Sequence, residues 1–360
     1  MTTKQPTGPN LSQVTHIGRL TVKYGLVALV VLIVGRVLLT AAVNYWKAIN
    51  PPPEPPPTVG FGPLPKIEFP TQEDSDKPTS YVLELPTAKF RQFPDRAKVF
   101  FMPSVAPSLL ADELVKQKAS SFMFVFQPEI LGERTYRWTR TEGLDMSLTM
   151  DTLNYNFSLK SNFRAKPEFL INPNLPEEFE AVAKVKSLLD RADLLADDVA
   201  TASGKVSFIR SLGGELTPAA SLSDSDFVRV DLNRVAVDDR YPMYTSEGTK
   251  GIISAILTGA TNTLSGVVEI NNYYHPVDYE QVETYPLREV KMAWKVLQAG
   301  EGFISSKGEL ETAVIRDVEL GYYDSEEEQG FLQPVFVFKG DEGFMGIVSA
   351  VNPQYMVITK

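Results

Sequence analysis

The chain has 360 residues, of which 43% are hydrophobic and 22% charged, a balance that belongs to folded globular proteins rather than disordered ones. Its 35 Lys and Arg against 45 Asp and Glu leave a net charge of -10, which argues against sequence-independent binding to a phosphate backbone, so no nucleic-acid partner is expected. With no cysteine and only His16 and His275, thiol nucleophiles, disulfide frameworks, structural zinc sites and His-carboxylate triads are excluded or nearly so.

From Tyr24 to Trp46 the chain reads YGLVALVVLIVGRVLLTAAVNYW. As a helix rising about 1.5 Å per residue, this stretch matches the roughly 30 Å hydrocarbon core of a bilayer. Arg36 opposes insertion by about 2.5 to 3.5 kcal/mol, whereas each Leu, Ile or Val between Leu26 and Val43 favours it by about 0.3 to 0.6 kcal/mol, and these residues outweigh it. Tyr24, Tyr45 and Trp46 stand where amphipathic rings favour the headgroup region. Residues 1–23 carry Lys4, Arg19 and Lys23 and no acid, so they are expected to form a cytoplasmic tail. Removing those three with Arg36 and Lys47 leaves -15 on residues 48–360, which are expected to face outward from the cell membrane. A cleaved signal peptide is the rival reading, but the apolar stretch exceeds a typical h-region and Thr40 to Ala42 makes a poor cleavage site.

Residues 47–80 read as a linker. Nine of the twenty residues from Pro51 to Pro70 are proline, a composition that favours extended polyproline conformation and predicts a stalk. PPPEPPP also has the makings of a ligand for an aromatic groove. The polar run TQEDSDKPTS completes the linker.

The remainder predicts an α+β ectodomain of antiparallel sheets with helices packed on one face, in three modules at 81–172, 173–285 and 286–360. In the first, a helix begins near Pro107 with Leu110, Leu114 and Val115 as its stripe, followed by strands at FMFVF (122–126), 133–141, 143–150 and 153–160. In the second, Pro176 opens a helix with Phe179, Val182, Val185 and Leu189 on one face, and strands follow at 205–212, 226–237, 241–246, 251–257 and 266–277. In the third, Pro286 opens a helix whose Leu287, Val290, Trp294 and Leu297 share a face and Gly300 caps it; strands follow at 313–324, 331–340 and 344–353. Trp294 and Leu297 are expected to pack on the strand face carrying Val335, Val337 and Ile347.

The third unit resembles a known family. YPLREVKMAWKVLQAGEGFI with VIRDVELGYYDSEEEQGFLQPVFVF is similar to the closing module of the YycH/YycI family of membrane-anchored bacterial envelope regulators, related in shape to PepSY-type domains. The likeness is carried by Ala293 and Trp294 in the helix, the strand ending Leu320-Gly321-Tyr322-Tyr323, and Pro334, Val335 and Phe336. DFVRVDLNRVAVDDRYPMYTSEG and GVVEI are similar to the family's middle part, and the single N-terminal span matches its topology. The resemblance implies a non-enzymatic extracytoplasmic module that contacts sensor kinases or modulates peptidases.

Few residues point to chemistry. His275 with Asp278 and Glu280 is read as a surface loop rather than a metal site, since one loop supplies too few fixed ligands. Asp224, Asp226 and Asp231 lack the glycine spacing of an EF-hand and are read as a solvated loop. Asp238 and Asp239 are read as a turn, and Ser305, Ser306 and Lys307 as a polar loop rather than a Ser-Lys nucleophile system. No phosphate-cradling glycine pattern is present. No catalytic, cofactor or metal residues are assigned. Tyr273, Tyr274, Tyr322 and Tyr323 are carried forward as protein-binding candidates, because tyrosine suits partner contacts, although it equally suits sheet packing.

The resulting expectation is a single-pass protein, anchored in the lipid bilayer through residues 24–46, whose ectodomain binds a membrane protein or envelope component without catalysis or cofactor. A carboxylate-dependent cell-wall hydrolase requires two acids facing across a cleft, and a structural envelope assembly protein requires an edge strand that adds to a neighbour. Both are kept as alternatives.

Overall fold

The computed structural model describes residues 11–49, 55–141, 143–165, 174–213, 215–259, 266–308 and 311–357. It divides into Met1–Pro56 and Pro57–Lys360. The first unit contains helix α1 (Leu11–Ile49), within which Gly18–Trp46 holds an 18-residue stretch of mean hydropathy 2.7 and is long and apolar enough to cross a membrane. At 39 residues α1 outruns the expected span at both ends. Thr40 Oγ1 donates to the Arg36 carbonyl at 2.7 Å, which satisfies its hydroxyl within the helix. Residues 1–10 of the expected tail and 50–54 of the linker lie outside the described residues.

The second unit begins with β1 (Ser80–Leu83), β2 (Arg96–Phe101), α2 (Ala111–Ser121), β3 (Glu129–Ile130), β4 (Thr135–Arg140), β5 (Met146–Asp151) and β6 (Phe157–Ser161). It continues with α3 (Glu178–Arg191), α4 (Asp197–Ala200), β7 (Lys205–Leu212), β8 (Glu215–Pro218), β9 (Phe227–Leu232), β10 (Met243–Tyr244), β11 (Ile253–Leu257), β12 (Val267–Asn272) and β13 (Asp278–Pro286). It closes with α5 (Val290–Gln298), β14 (Phe303–Ser306), β15 (Thr312–Tyr323), β16 (Phe331–Gly340) and β17 (Met345–Ser349).

These strands form two sheets. The nine-stranded sheet has the order β3-β4-β5-β6-β12-β11-β9-β7-β8, all antiparallel. The eight-stranded sheet runs β1-β15-β16-β17-β14, with β10 added to β15, and β2 bridging β13 to β16. Among the described strands only β1 and β10, both against β15, pair in parallel. The fold is therefore α+β, with the antiparallel sheets that alternation predicts. The sheets do not follow the expected modules, however. Strands from 129–161 and, β10 apart, from 205–272 share one ladder through β6 and β12, and β1 and β2 join the C-terminal strands.

Alternation explains which face is covered. In β5, Met146, Leu148 and Met150 point into the core while Ser147, Thr149 and Asp151 point away. Val115 and Ala119 of α2 and Ala181, Val185, Leu188 and Leu189 of α3 cover that inner face. Phe179 is not part of the α3 stripe; it is 88% exposed, about half a turn away from the buried Ala181. On the other sheet, Ala293, Trp294 and Leu297 of α5 pack with Ile304, Phe336, Phe338 and Val348. The expected partners Val335, Val337 and Ile347 lie on the opposite face with Phe303 and Tyr323, because neighbouring strand residues point to opposite sides. Pro286 ends β13 rather than opening α5, while Gly300, at φ 74°, follows the helix in the left-handed conformation expected of a cap.

The described part of the stalk is not a free spacer. The Thr58 amide donates to Thr284 Oγ1 and the Val59 amide to the Thr284 carbonyl, and Leu64, fully buried, exchanges bonds with Tyr355 and Val357 at 2.8 and 2.7 Å. Phe69 stacks on Phe303 at 4.9 Å and meets Tyr323 edge-on at 4.8 Å. Apolar residues spaced among the prolines thus strap residues 57–72 onto the eight-stranded sheet, where burial outweighs the solvated extended state.

Candidate functional site

The tyrosines expected at a recognition surface divide by location. Tyr322 and Tyr323 are each 1% exposed. The Tyr322 hydroxyl donates to the Lys98 carbonyl at 2.8 Å, and Tyr323 packs with Phe69, Val335 and Val337. Both are core residues, so their assignment to an exposed surface is corrected: they end β15, which lies in the middle of its sheet. Tyr273 and Tyr274 are half-buried after β12. Burial, followed by the Glu326, Glu247 and Glu269 carboxylates, pushes the Tyr273 hydroxyl up. Burial takes Tyr274 to about 12.

Tyr274 belongs to a buried polar junction that the sequence did not reveal. Its ring lies 4.3 Å from the Arg234 guanidinium. Arg234 Nε donates to Asp324 at 2.8 Å, Nη1 to Asp198 at 2.8 Å, and Nη2 to the His275 carbonyl. The Tyr279 hydroxyl also donates to Asp198, at 2.8 Å. Burial works against the Arg234 charge, but Asp324 and Asp198 more than offset it and hold the guanidinium above its ordinary pKa. Arg234 follows β9, Asp198 lies in α4, and Asp324 follows β15, so their partnership depends on long-range topology. His275, expected on the surface, is buried here, with Nε2 3.2 Å from both Asn156 Nδ2 and the Glu326 carbonyl.

The other polar groups keep local partners. Asp224 pairs with Arg210 at 3.2 Å and Asp226 accepts from the Ser211 amide. Asp231 is not a solvated loop residue: it is buried in β9, where it pairs with Arg229 at 3.1 Å and accepts from the Gly251 amide. Asp238 and Asp239, at φ 54° and 53°, form the turn between Val237 and Tyr241. Ser305 donates to the Ser246 carbonyl and Lys307 to the Ser75 carbonyl. Asp278 caps its own turn, accepting from the Glu280 and Gln281 amides. Among the described residues no group of three or more His, Asp and Glu is placed to hold a metal ion.

The feature that stands apart is at one end of the nine-stranded sheet. FMFVF, expected as a strand, is instead a loop in which Phe122 and Phe124 are buried. Val125 and Phe126 are 70% and 71% exposed, and Met123, Ile130 and Leu131 are uncovered as well. The alternation was visible in the sequence; what it could not disclose is that nothing covers the outward side chains. The loop and β4 enclose a cleft of about 220 Å³. In it Arg140 lies 5.8 Å from the Phe124 ring centroid, with Nη2 3.1 Å from Met146 Sδ and a buried Nε that has no partner. An apolar rim with a guanidinium that keeps an unused donor suits a ligand that is partly apolar and partly anionic.

No family model matches the chain, and no curated protein matches it. Among solved structures, an uncharacterized protein from Eubacterium rectale aligns with a TM-score of 0.34 at 9% identity, over 74% of this chain and 86% of that one.

Proposed function

We propose that the chain is a single-pass membrane protein whose Pro57–Lys360 unit faces outward and acts by binding another envelope protein, without catalysis. The observation that carries this reading is the uncovered run Met123, Val125, Phe126, Ile130 and Leu131 beside the short edge strand β3. Apolar side chains gathered at a sheet edge mark an interaction surface, because leaving them in water gains nothing for the isolated fold. The basic flank of α1 supports the orientation, and the resemblance of residues 286–360 to YycH/YycI-type regulators supports action by contact.

The test is a photoreactive phenylalanine placed at Phe126, and separately at Phe179 of α3, in the full chain in its native membrane. A discrete adduct with a second protein from position 126 and none from 179 is expected. Adducts from 179 alone, or from neither position, overturn the reading. Protease added outside right-side-out vesicles is expected to cut beyond residue 57, and protection there overturns the orientation.

A further inference from the structure

The ladder at the β3 end of the sheet is incomplete. β4 stays paired to β5 as far as Arg140 opposite Met146, whereas β3 reaches only Glu129, opposite Arg137. Trp138, Thr139 and Arg140 therefore have a strand on one side only. On the other side residues 122–128, ahead of β3, are loop rather than strand, and the cleft lies between Phe126 and Gln127 of that loop and Trp138, Thr139 and Arg140 of β4. An unpaired edge presents its N–H and C=O groups to any extended segment that fits beside it.

The cleft is lined by two arginines, Arg137 and Arg140, against one acid, Glu129, a balance opposite in sign to that of the chain around it. Residues 48–360 carry -15, yet among the described residues Arg137 and Arg140 of β4 make no ion pair. Arg134 next to them is satisfied by Asp151 at 3.2 Å. Glu129 stands opposite Arg137 in register but makes no ion pair with it among the described residues. Arg140 has only a sulfur contact, a ring and an orphaned buried Nε.

We infer that the cleft accepts an extended acidic segment of a partner protein, added as a strand beside Trp138–Arg140. Trp138 and Arg140 share a strand face two residues apart, so the segment's matching side chains are also two apart. An apolar one packs against the exposed Met123 and Phe126 side chains of the cleft, and a carboxylate reaches Arg140. A carboxylate on the segment's other face meets Arg137. A second copy of this chain is the wrong occupant, because two such edges brought together would gather Arg137 and Arg140 of both copies along one seam. The inference rests on the protein-binding reading of the same edge and adds the chemistry of what binds.

The experiment uses the full chain in nanodiscs and a fluorescein-labelled, end-capped octapeptide of threonines carrying valine and glutamate two residues apart, with a second glutamate between them on the other face. Its control has lysine in place of glutamate. Fluorescence anisotropy is expected to show binding of the glutamate peptide and at least about tenfold weaker binding of the lysine peptide. Arg140→Gln and Arg137→Gln should each weaken the glutamate peptide about tenfold. Arg137 is exposed, so its variant keeps the test valid if Arg140→Gln fails to fold. Absent binding, equal binding of the two peptides, or full affinity in both variants overturns the inference. A protein adduct from position 126 together with any of those results leaves the protein-binding reading standing while the acidic strand falls. An adduct with lipid alone overturns both.

Discussion

Arg234 and Asp324 meet at 2.8 Å, Nε to Oδ2, with side chains 0% and 1% exposed. One follows a strand of the nine-stranded sheet and the other a strand of the eight-stranded sheet. The contact thus ties the ends of two ladders whose strands do not hydrogen-bond to each other. The Asp198 carboxylate and the Tyr274 ring complete the enclosure of the guanidinium.

Asp324→Asn should destabilise the chain by about 3 to 5 kcal/mol, because it leaves the Arg234 charge buried with one carboxylate fewer. The triple variant Arg234→Met, Asp324→Leu and Asp198→Asn should lose less than the single one, since it removes the guanidinium together with both of its carboxylates. Urea denaturation of both variants checks this, and a triple variant less stable than Asp324→Asn would count against the account.

Leu64→Ala should destabilise Pro57–Lys360 by about 2 to 5 kcal/mol, the usual effect of truncating a buried leucine. Leu64 is held between Tyr355 and Val357, so the substitution opens a cavity under the strap. A stalk that stood free of the domain would give an unchanged denaturation midpoint.

What was legible in the sequence was local. The apolar run of α1, the alternation in β5, the apolar runs of β15 and β16, the Trp294 and Leu297 stripe of α5 and the turn at Asp238 and Asp239 all depend on residues within one element, and each is found there, with α5 starting at Val290 rather than Pro286. The prolines of residues 51–70 carried a true local preference, but the domain overrode it by burying Leu64 and Phe69. Arg234, Asp198 and Asp324 gave no signal, since the arginine is separated from its two carboxylates by 36 and 90 positions. Tyr322 and Tyr323 misled for a related reason: a tyrosine pair reads alike in the middle of a sheet and at a surface, and only strand order separates the two. The cleft at β4 was half visible, in the alternation of FMFVF, and its open edge appears only once β3 is seen to stop at Glu129.

Trp294→Ala should destabilise by about 3 to 5 kcal/mol. The ring sits 5.8 Å from that of Phe338, whereas Val337 points to the other face of β16. A double-mutant cycle of Trp294→Ala with Phe338→Ala should therefore show coupling of about 0.5 to 1.5 kcal/mol, and one with Val337→Ala should be additive within about 0.5 kcal/mol. Coupling to Val337 without coupling to Phe338 would restore the opposite packing face.

Glu326 supplies a pH dependence. Its carboxyl is pushed above the ordinary range by burial, with Glu247 adding to the effect, Lys250 opposing it and Glu327 adding again. An acid whose folded pKa exceeds its unfolded one binds more protons in the native state between the two values. Its contribution to stability is therefore full below the unfolded pKa and is lost as pH rises through the folded one. Glu326→Gln carries no charge to bury, so it should raise the melting temperature at pH 8 and change it little at pH 4. Acids held below their usual range, such as Glu319 beside Lys339, give the opposite slope in both proteins and cancel in the comparison. Thermal melts of the two across pH 4 to 8 decide the matter: a gain from Glu326→Gln that is equal at every pH, or largest at pH 4, would show that the carboxyl is not strained by its ionisation.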